Sequence, residues 1–277
     1  MNKLGVTISY KKDVDLMEKL QQAKNLGFTC CQLTMWDPTM FGEQYKNDIL
    51  EASEATGVSV SAIWGGWTGP CEWNFSFGPS TIGLVPAAYR AHRLKELMMA
   101  SDFAASLGVD TVITHVGFLP ENPADPDYVG TIGALRKLCK TMKEKGQTFL
   151  FETGQETPAT LLRAIEDIGT GNVGINLDTG NLILYGKANP VDALDVFGPY
   201  VRQTHVKDGF YPTCGARLGK EARAGDGKAN IPAVIQKLCN MGYDGPFIIE
   251  CEIKDTEQIP NIEHARDLIL QSLNEVN

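Results

Sequence analysis

Eight times along its 277 residues the chain passes through a short β-rich run and then an amphipathic helical stretch. The β-rich runs are LGVTIS (4–9), CCQLTM (30–35), VSVSAIW (58–64), TVITHV (111–116), TFLFE (148–152), VGINLD (173–178), VRQTHV (201–206) and PFIIE (246–250). Helical stretches follow near 14–25, 43–56, 86–107, 126–145, 158–168, 190–197, 231–241 and 262–274. Strands that alternate with helices form parallel βαβ units. Eight such units at this length match a closed (β/α)8 TIM barrel, with residues 1–277 as a single α/β domain. A doubly wound sheet is the competing arrangement, but no glycine-rich phosphate fingerprint follows the first strand.

Local chemistry supports the boundaries. Asp125-Pro126, Thr157-Pro158 and Asn189-Pro190 each put a capping side chain before a proline at the first helical position. Gly27, Gly108 and Gly242 each follow a helical run, where a left-handed residue ends a helix. Leu161, Ile165 and Ile168 recur at helical spacing and should face the barrel.

Five strands end in a chemically capable residue: His115, Glu152, Asp178, His205 and Glu250. In an eight-stranded barrel the C-terminal strand ends converge on one mouth. Glu152, Asp178, His205 and Glu250 come from four successive strands and should point at one small volume. Three carboxylates that close repel one another, and a divalent cation resolves the conflict. On the last strand Glu250 and Glu252 share a face, so either is a possible ligand. Glu250 ends the apolar run directly and is preferred, with Glu252 above it. Three oxygens and one imidazole nitrogen suit Mn2+ best, with Mg2+, Co2+ or Zn2+ as possibilities. Two coordination positions then stay open for a carbonyl and an adjacent hydroxyl of a substrate. Such chelation acidifies the intervening C–H and stabilises an enediolate. Glu152 and Glu250, on opposite sides of the metal, form the expected proton-transfer pair.

Charge and cysteine usage narrow the classes. A net charge of −9 argues against a nucleic-acid binder, since phosphate contacts need Lys and Arg. No apolar run approaches a membrane span, and the N-terminus lacks a signal-peptide pattern. The seven cysteines are scattered and contain no C-x-x-C, as in a reducing, cytoplasmic setting.

FETGQET (151–157), NLDTGNL (176–182), THVKDG (204–209), GPFIIECE (245–252) and the shorter GDG (225–227) together resemble the xylose isomerase-like TIM barrel superfamily of sugar and sugar-phosphate isomerases and epimerases. The segments D-x-G-N-L, H-x-K-D and G-P-x-x-I-E follow the order seen in its pentulose-phosphate 3-epimerases. The resemblance implies a metal held by Glu152, Asp178, His205 and Glu250, with the two glutamates moving the proton. Two departures count against a free-ketohexose 3-epimerase. Asn181 stands where those enzymes have a substrate-binding His, and Tyr211 where they have an Arg. Only four histidines are present (His92, His115, His205, His264), too few for the trinuclear site of the DNA-repair endonuclease branch.

The expected partner is a small sugar or sugar phosphate, with no nucleic acid or membrane, in a possible homo-oligomer. Trp36 and Trp64, at strand ends, are expected to wall the sugar pocket. His115 and Asn181 are expected to meet substrate hydroxyls. Glu156 is either a substrate contact or part of the Thr157-Pro158 helix start. The segment 207–229 carries five basic side chains against three acidic ones. Lys207, Asp208, Arg217 and Arg223 there are assigned to substrate, with a substrate phosphate falling to Arg217, Lys220 or Arg223. Trp67 and Trp73, in the long loop after the third strand, form a lid, an oligomer contact or a structural cluster. The leading activity is 3-epimerisation of a ketose or ketose phosphate. The alternatives are aldose–ketose isomerisation, dehydration of a keto-cyclitol, and a barrel that binds metal and sugar without turnover.

Overall fold

Each β-rich run forms a parallel strand, and the ladder closes on itself. The computed structural model describes residues 3–253 and 255–276; Met1, Asn2, Lys254 and Asn277 of the expected domain lie outside the described residues. The barrel strands are β1 (Leu4–Ser9), β2 (Cys30–Met35), β3 (Ser59–Gly65), β4 (Thr111–Thr114), β5 (Thr148–Glu152), β6 (Val173–Asp178), β7 (Val201–Val206) and β10 (Phe247–Ile249). Two further strands, β8 (Asp208–Phe210) and β9 (Lys220–Ala222), form an antiparallel hairpin outside the barrel. The spatial order is β1-β10-β7-β6-β5-β4-β3-β2, and β1 pairs with both β10 and β2 to close the cylinder. The chain therefore forms a (β/α)8 TIM barrel.

The helices are α1 (Leu16–Asn25), α2 (Glu43–Thr56), α3 (Gly78–Thr81), α4 (Ala87–Ser106), α5 (Pro126–Glu144), α6 (Pro158–Ile168), α7 (Thr179–Leu184), α8 (Pro190–Phe197), α9 (Ile231–Asn240) and α10 (Gln258–Val276). Their ends follow the capping chemistry of the sequence. The side chains of Asp125, Thr157 and Asn189 accept from backbone N–H groups in the first turns of α5, α6 and α8. On α6 the stripe Leu161, Ala164, Ile165 and Ile168 is buried against the barrel wall, each large side chain contributing about 1.5–3 kcal/mol.

The differences from the sequence expectation have local causes. Helix α10 starts at Gln258 rather than 262, because Pro260 lies in its first turn, where a missing N–H costs nothing. Strand β4 stops at Thr114. Beyond it the chain turns to meet another loop, Leu84 and Val85 both donating to the Val116 carbonyl. That loop, 66–86, is fastened by Arg93 of α4, whose buried guanidinium donates to the carbonyls of Thr68, Pro70, Thr81 and Gly83.

Candidate metal centre

Strands β5, β6, β7 and β10 are consecutive in the barrel wall, and Glu152, Asp178, His205 and Glu250 meet at their C-terminal ends. One potential ligand atom from each lies within 4.8 Å of all the others. Strand register makes the meeting, since Asp178 pairs with His205 across the β6–β7 ladder. His205 Nδ1 is 3.0 Å from Glu152 Oε1, 3.5 Å from Glu250 Oε2 and 3.7 Å from Asp178 Oδ2.

Asp178 divides its work between two oxygens. Oδ1 accepts from the Asn181 backbone N–H at 2.7 Å and caps α7. Thr179–Asn181 are therefore the first turn of a short helix. Oδ2 faces the centre, where its near neighbour is the Lys207 ammonium at 3.0 Å. The backbone of Asp178 is gripped on both sides by the Thr153 hydroxyl, which donates to its carbonyl and accepts from its N–H, each at 2.9 Å.

Glu152 is equally oriented. The Trp64 indole N–H donates to Oε2, and His115 Nε2 lies 3.5 Å from the same oxygen. The Asn181 amide donates to Oε1 at 3.4 Å. Lys207, whose side chain is only 2% exposed, sets its ammonium 2.6 Å from Glu250 Oε2, 3.0 Å from Asp178 Oδ2 and 3.1 Å from Glu252 Oε2. The Thr179 hydroxyl, donating to the Lys207 carbonyl and accepting from its N–H, fixes that residue beside α7.

The centre polarises its own groups. Burial, the largest influence, opposes charge everywhere here. At Asp178 it prevails over Lys207 and lifts the carboxyl to about 6. At Glu250 the Lys207 and His205 charges overcome burial and hold the carboxyl well below its usual range. At His205 the Glu250 and Glu152 carboxylates overcome burial and lift the imidazole well above its usual range. His115 goes the other way: burial dominates and lowers it, so it stays neutral.

Three carboxylates and one imidazole, each with a ligand atom within 4.8 Å of the others, fit a divalent cation by the chemistry of the donor set. Beside the centre lies a pocket of about 260 Å³ whose lining includes Trp36, Trp64, Trp73, His115, Asn181 and Tyr185. The Trp36 and Trp64 rings lie 4.8 Å apart, and Trp73 meets His115 edge-on at 5.3 Å. Trp67 is buried behind them under the Arg93 guanidinium.

The remaining sequence candidates fall elsewhere. Asp208 accepts from the backbone N–H groups of Gly209, Gly225, Gly227 and Ala229 at 2.8–3.0 Å, so its carboxylate organises the 223–229 loop. Arg223 pairs with Asp226 at 3.0 Å, Arg217 is exposed, and neither lines the pocket. Glu156 is buried with both carboxyl oxygens unpartnered, and burial lifts it to about 8. Thr157, not Glu156, caps α6.

Sequence reasoning missed Gln32, Asn176 and Gln203, which form a buried polar layer directly beneath the centre. The available signal is parity: Asn176 and Gln203 each stand two residues before a candidate ligand, on the same inward face.

The closed parallel barrel carries at its C-terminal mouth an acidic and imidazole cluster that could hold a metal ion. The xylose isomerase-like TIM barrel family matches residues 20–273, and the chain belongs to it. The crystal structure of a xylose isomerase domain protein from Planctomyces limnophilus is 31% identical and covers 99% of each chain, with a TM-score of 0.90. A xylose isomerase-like TIM barrel protein from Mycobacterium smegmatis, solved in complex with magnesium, is 20% identical over 100% of this chain and 98% of that one, TM-score 0.74. A solved L-ribulose 3-epimerase is 20% identical over 100% of this chain and 96% of that one, TM-score 0.76. Among curated relatives, inosose dehydratase of Geobacillus thermodenitrificans is 21% identical over 91% of this chain and 85% of its own. An uncharacterized protein of Methanocaldococcus jannaschii, MJ1311, is 24% identical over 64% of this chain, and the chain spans 61% of that protein's length.

Proposed function

We propose that the chain is a divalent-metal-dependent isomerase or epimerase of a sugar or sugar phosphate. Its leading reaction is 3-epimerisation of a ketose or ketose phosphate. The observation that carries this reading is the convergence of Glu152, Asp178, His205 and Glu250 within 4.8 Å beside a tryptophan-walled pocket. A divalent cation held by those four groups, Mn2+ for preference, with Mg2+, Co2+ or Zn2+ as alternatives, supplies Lewis acidity to a carbonyl and its neighbouring hydroxyl and acidifies the C–H between them.

The chain's own groups do the rest. Glu152 and Glu250 flank the Asp178–His205 pair. One carboxylate takes the proton from the substrate carbon, and the other returns a proton to the opposite face, which inverts that carbon. Trp64 and Asn181 hold the Glu152 carboxylate in a fixed plane. Trp36, Trp64 and Trp73 pack against the C–H surface of the sugar and exclude water. His115, neutral and with an unpartnered buried Nδ1, meets a substrate hydroxyl. Neither Arg217 nor Arg223 lines the pocket, so the fork that would grip a phosphate stands outside it, which favours an unphosphorylated ketose. The L-ribulose 3-epimerase likeness supports the reaction class. The free cysteines support a reducing, cytoplasmic setting.

A second reading is dehydration of a keto-cyclitol, favoured by the likeness to inosose dehydratase over 91% of this chain. It begins with the same proton removal and ends in loss of a hydroxyl.

The test is solvent exchange. Protein supplied with Mn2+ is incubated with a panel of ketoses in D2O and followed by proton NMR. The expected result is washout of the C3 hydrogen, stopped by EDTA and slowed about 10²–10⁴-fold in Glu152→Gln and Glu250→Gln. Water loss without epimerisation moves the assignment to the dehydratase. No exchange with any candidate contradicts the proposal.

A further inference from the structure

An imidazole holds a cation only through a ring nitrogen without hydrogen, so the tautomer of His205 decides whether a fourth ligand exists. We infer that Gln203 and Gln32 are positioning residues that form a polarity relay, running from the Ser61 main-chain carbonyl to His205 and keeping the hydrogen on Nε2. Nδ1 is thereby left for the centre. The inference rests on the metal-site reading above.

The relay starts from a group that cannot reverse. The Ser61 carbonyl on β3 only accepts, and Gln203 Nε2 donates to it at 2.8 Å. That fixes the Gln203 amide with its oxygen at the other end. Gln203 Oε1 then accepts from Gln32 Nε2 at 2.8 Å, which fixes the Gln32 amide in turn. Gln32 Oε1 consequently faces His205 Nε2 at 2.6 Å. An amide oxygen has no hydrogen to give, so the ring nitrogen is the donor. With Gln32 reversed, two carbonyl oxygens would face each other at 2.8 Å, a contact with no hydrogen between them.

Asn176 follows the relay and does not set it. Its Oδ1 accepts the second Gln32 hydrogen at 3.1 Å, while its Nδ2 has no partner to fix the amide. Gln32 is 0% exposed, Gln203 6% and His205 1%, so bulk solvent has no access to a broken link. The ring nitrogen turned toward the carboxylates is Nδ1, 3.0 Å from Glu152 Oε1.

The test uses protein labelled with 15N-histidine and loaded with Zn2+, read by long-range 1H–15N correlation, with Mn2+ and Zn2+ affinities measured by calorimetry. In wild type, His205 should carry an exchange-protected hydrogen on Nε2 and the metal on Nδ1. Gln32→Leu should weaken both ions about 10–100-fold and lose the protection of the Nε2 hydrogen, with the fold intact by circular dichroism. Gln203→Leu removes no group that touches His205, yet it frees Gln32 to reverse, and it should also weaken both ions and shift hydrogen from Nε2 toward Nδ1. A merely structural role predicts that Gln203→Leu leaves the Nε2 hydrogen in place and both affinities within about 2-fold of wild type, and that result overturns the relay, as does hydrogen on Nδ1 in the loaded wild type. If wild type binds no divalent ion, the metal-site reading fails. The metal-free spectrum then decides the relay: a protected Nε2–H that Gln32→Leu exposes supports it, and a freely exchanging one in wild type overturns it.

Discussion

Lys207 and Glu250 form an ion pair, Nζ to Oε2 2.6 Å, at the edge of the metal centre. The same ammonium reaches Asp178, so one lysine neutralises two of the carboxylates that are candidate ligands. Burial depresses the Lys207 ammonium, and Asp178, Glu250 and Glu252 more than restore it, well above its usual range. Without Lys207 those buried carboxylates lose their nearest positive charge. Lys207→Met should therefore destabilise the metal-free protein by about 3–5 kcal/mol. Added divalent cation should recover much of that loss. Thermal unfolding in EDTA and in Mn2+ checks it: the variant should show the larger rise on adding metal. An equal rise in both proteins would mean that Lys207 and the cation do not share the same carboxylates.

Asp208 belongs to the loop, although it follows Lys207 directly. It receives four backbone N–H groups, and a Cβ on Gly227 would lie 2.1 Å from Asp208 Oδ1, so only glycine fits there. Asp208→Ala leaves those donors unsatisfied and should cost about 3 kcal/mol. Cleavage by trypsin within 217–228 should accelerate while metal affinity stays within about 2-fold of wild type. A variant that keeps its stability and loses sugar binding would return Asp208 to the substrate.

Glu156 gives the pH signature. Unfolded, it ionises near its usual 4.5; folded, burial holds it protonated up to about 8. Between those values the unfolded chain has released a proton that the folded chain retains, so this residue's contribution falls as pH rises and levels off above pH 8. Glu156→Gln should be near neutral at pH 4.5 and stabilising by a few kcal/mol at pH 8. Denaturant unfolding across that range reads the difference. A gap between variant and wild type that does not widen with pH would place a compensating cation beside Glu156.

The four candidate ligands were legible because each closes an apolar run with one ionisable residue, and barrel topology sends strand ends to one place. Parity also separates Lys207 from Asp208: residues 203, 205 and 207 share the inward face, and 208 points the other way. Other features depend on tertiary meetings that no local pattern encodes. Gln32 and Gln203 touch across 171 residues of sequence. The β8–β9 hairpin is only three residues a side, too short for an alternation pattern to mark it. Arg217 and Arg223 looked like phosphate ligands because basic residues cluster in sequence, yet Arg223 is spent on Asp226 and Arg217 is exposed away from the pocket lining. Asp178 was legible as a ligand but not as the cap of α7, since one of its oxygens starts the helix while the other faces the cluster.

The most direct measurement is an anomalous difference map from crystals grown with excess Mn2+. The expected result is one strong peak about 2.0–2.3 Å from Glu152, Asp178, His205 Nδ1 and Glu250, with Lys207 Nζ turned from Asp178 toward Glu252. No peak there at full manganese, or a peak held by a different set of side chains, would contradict the account.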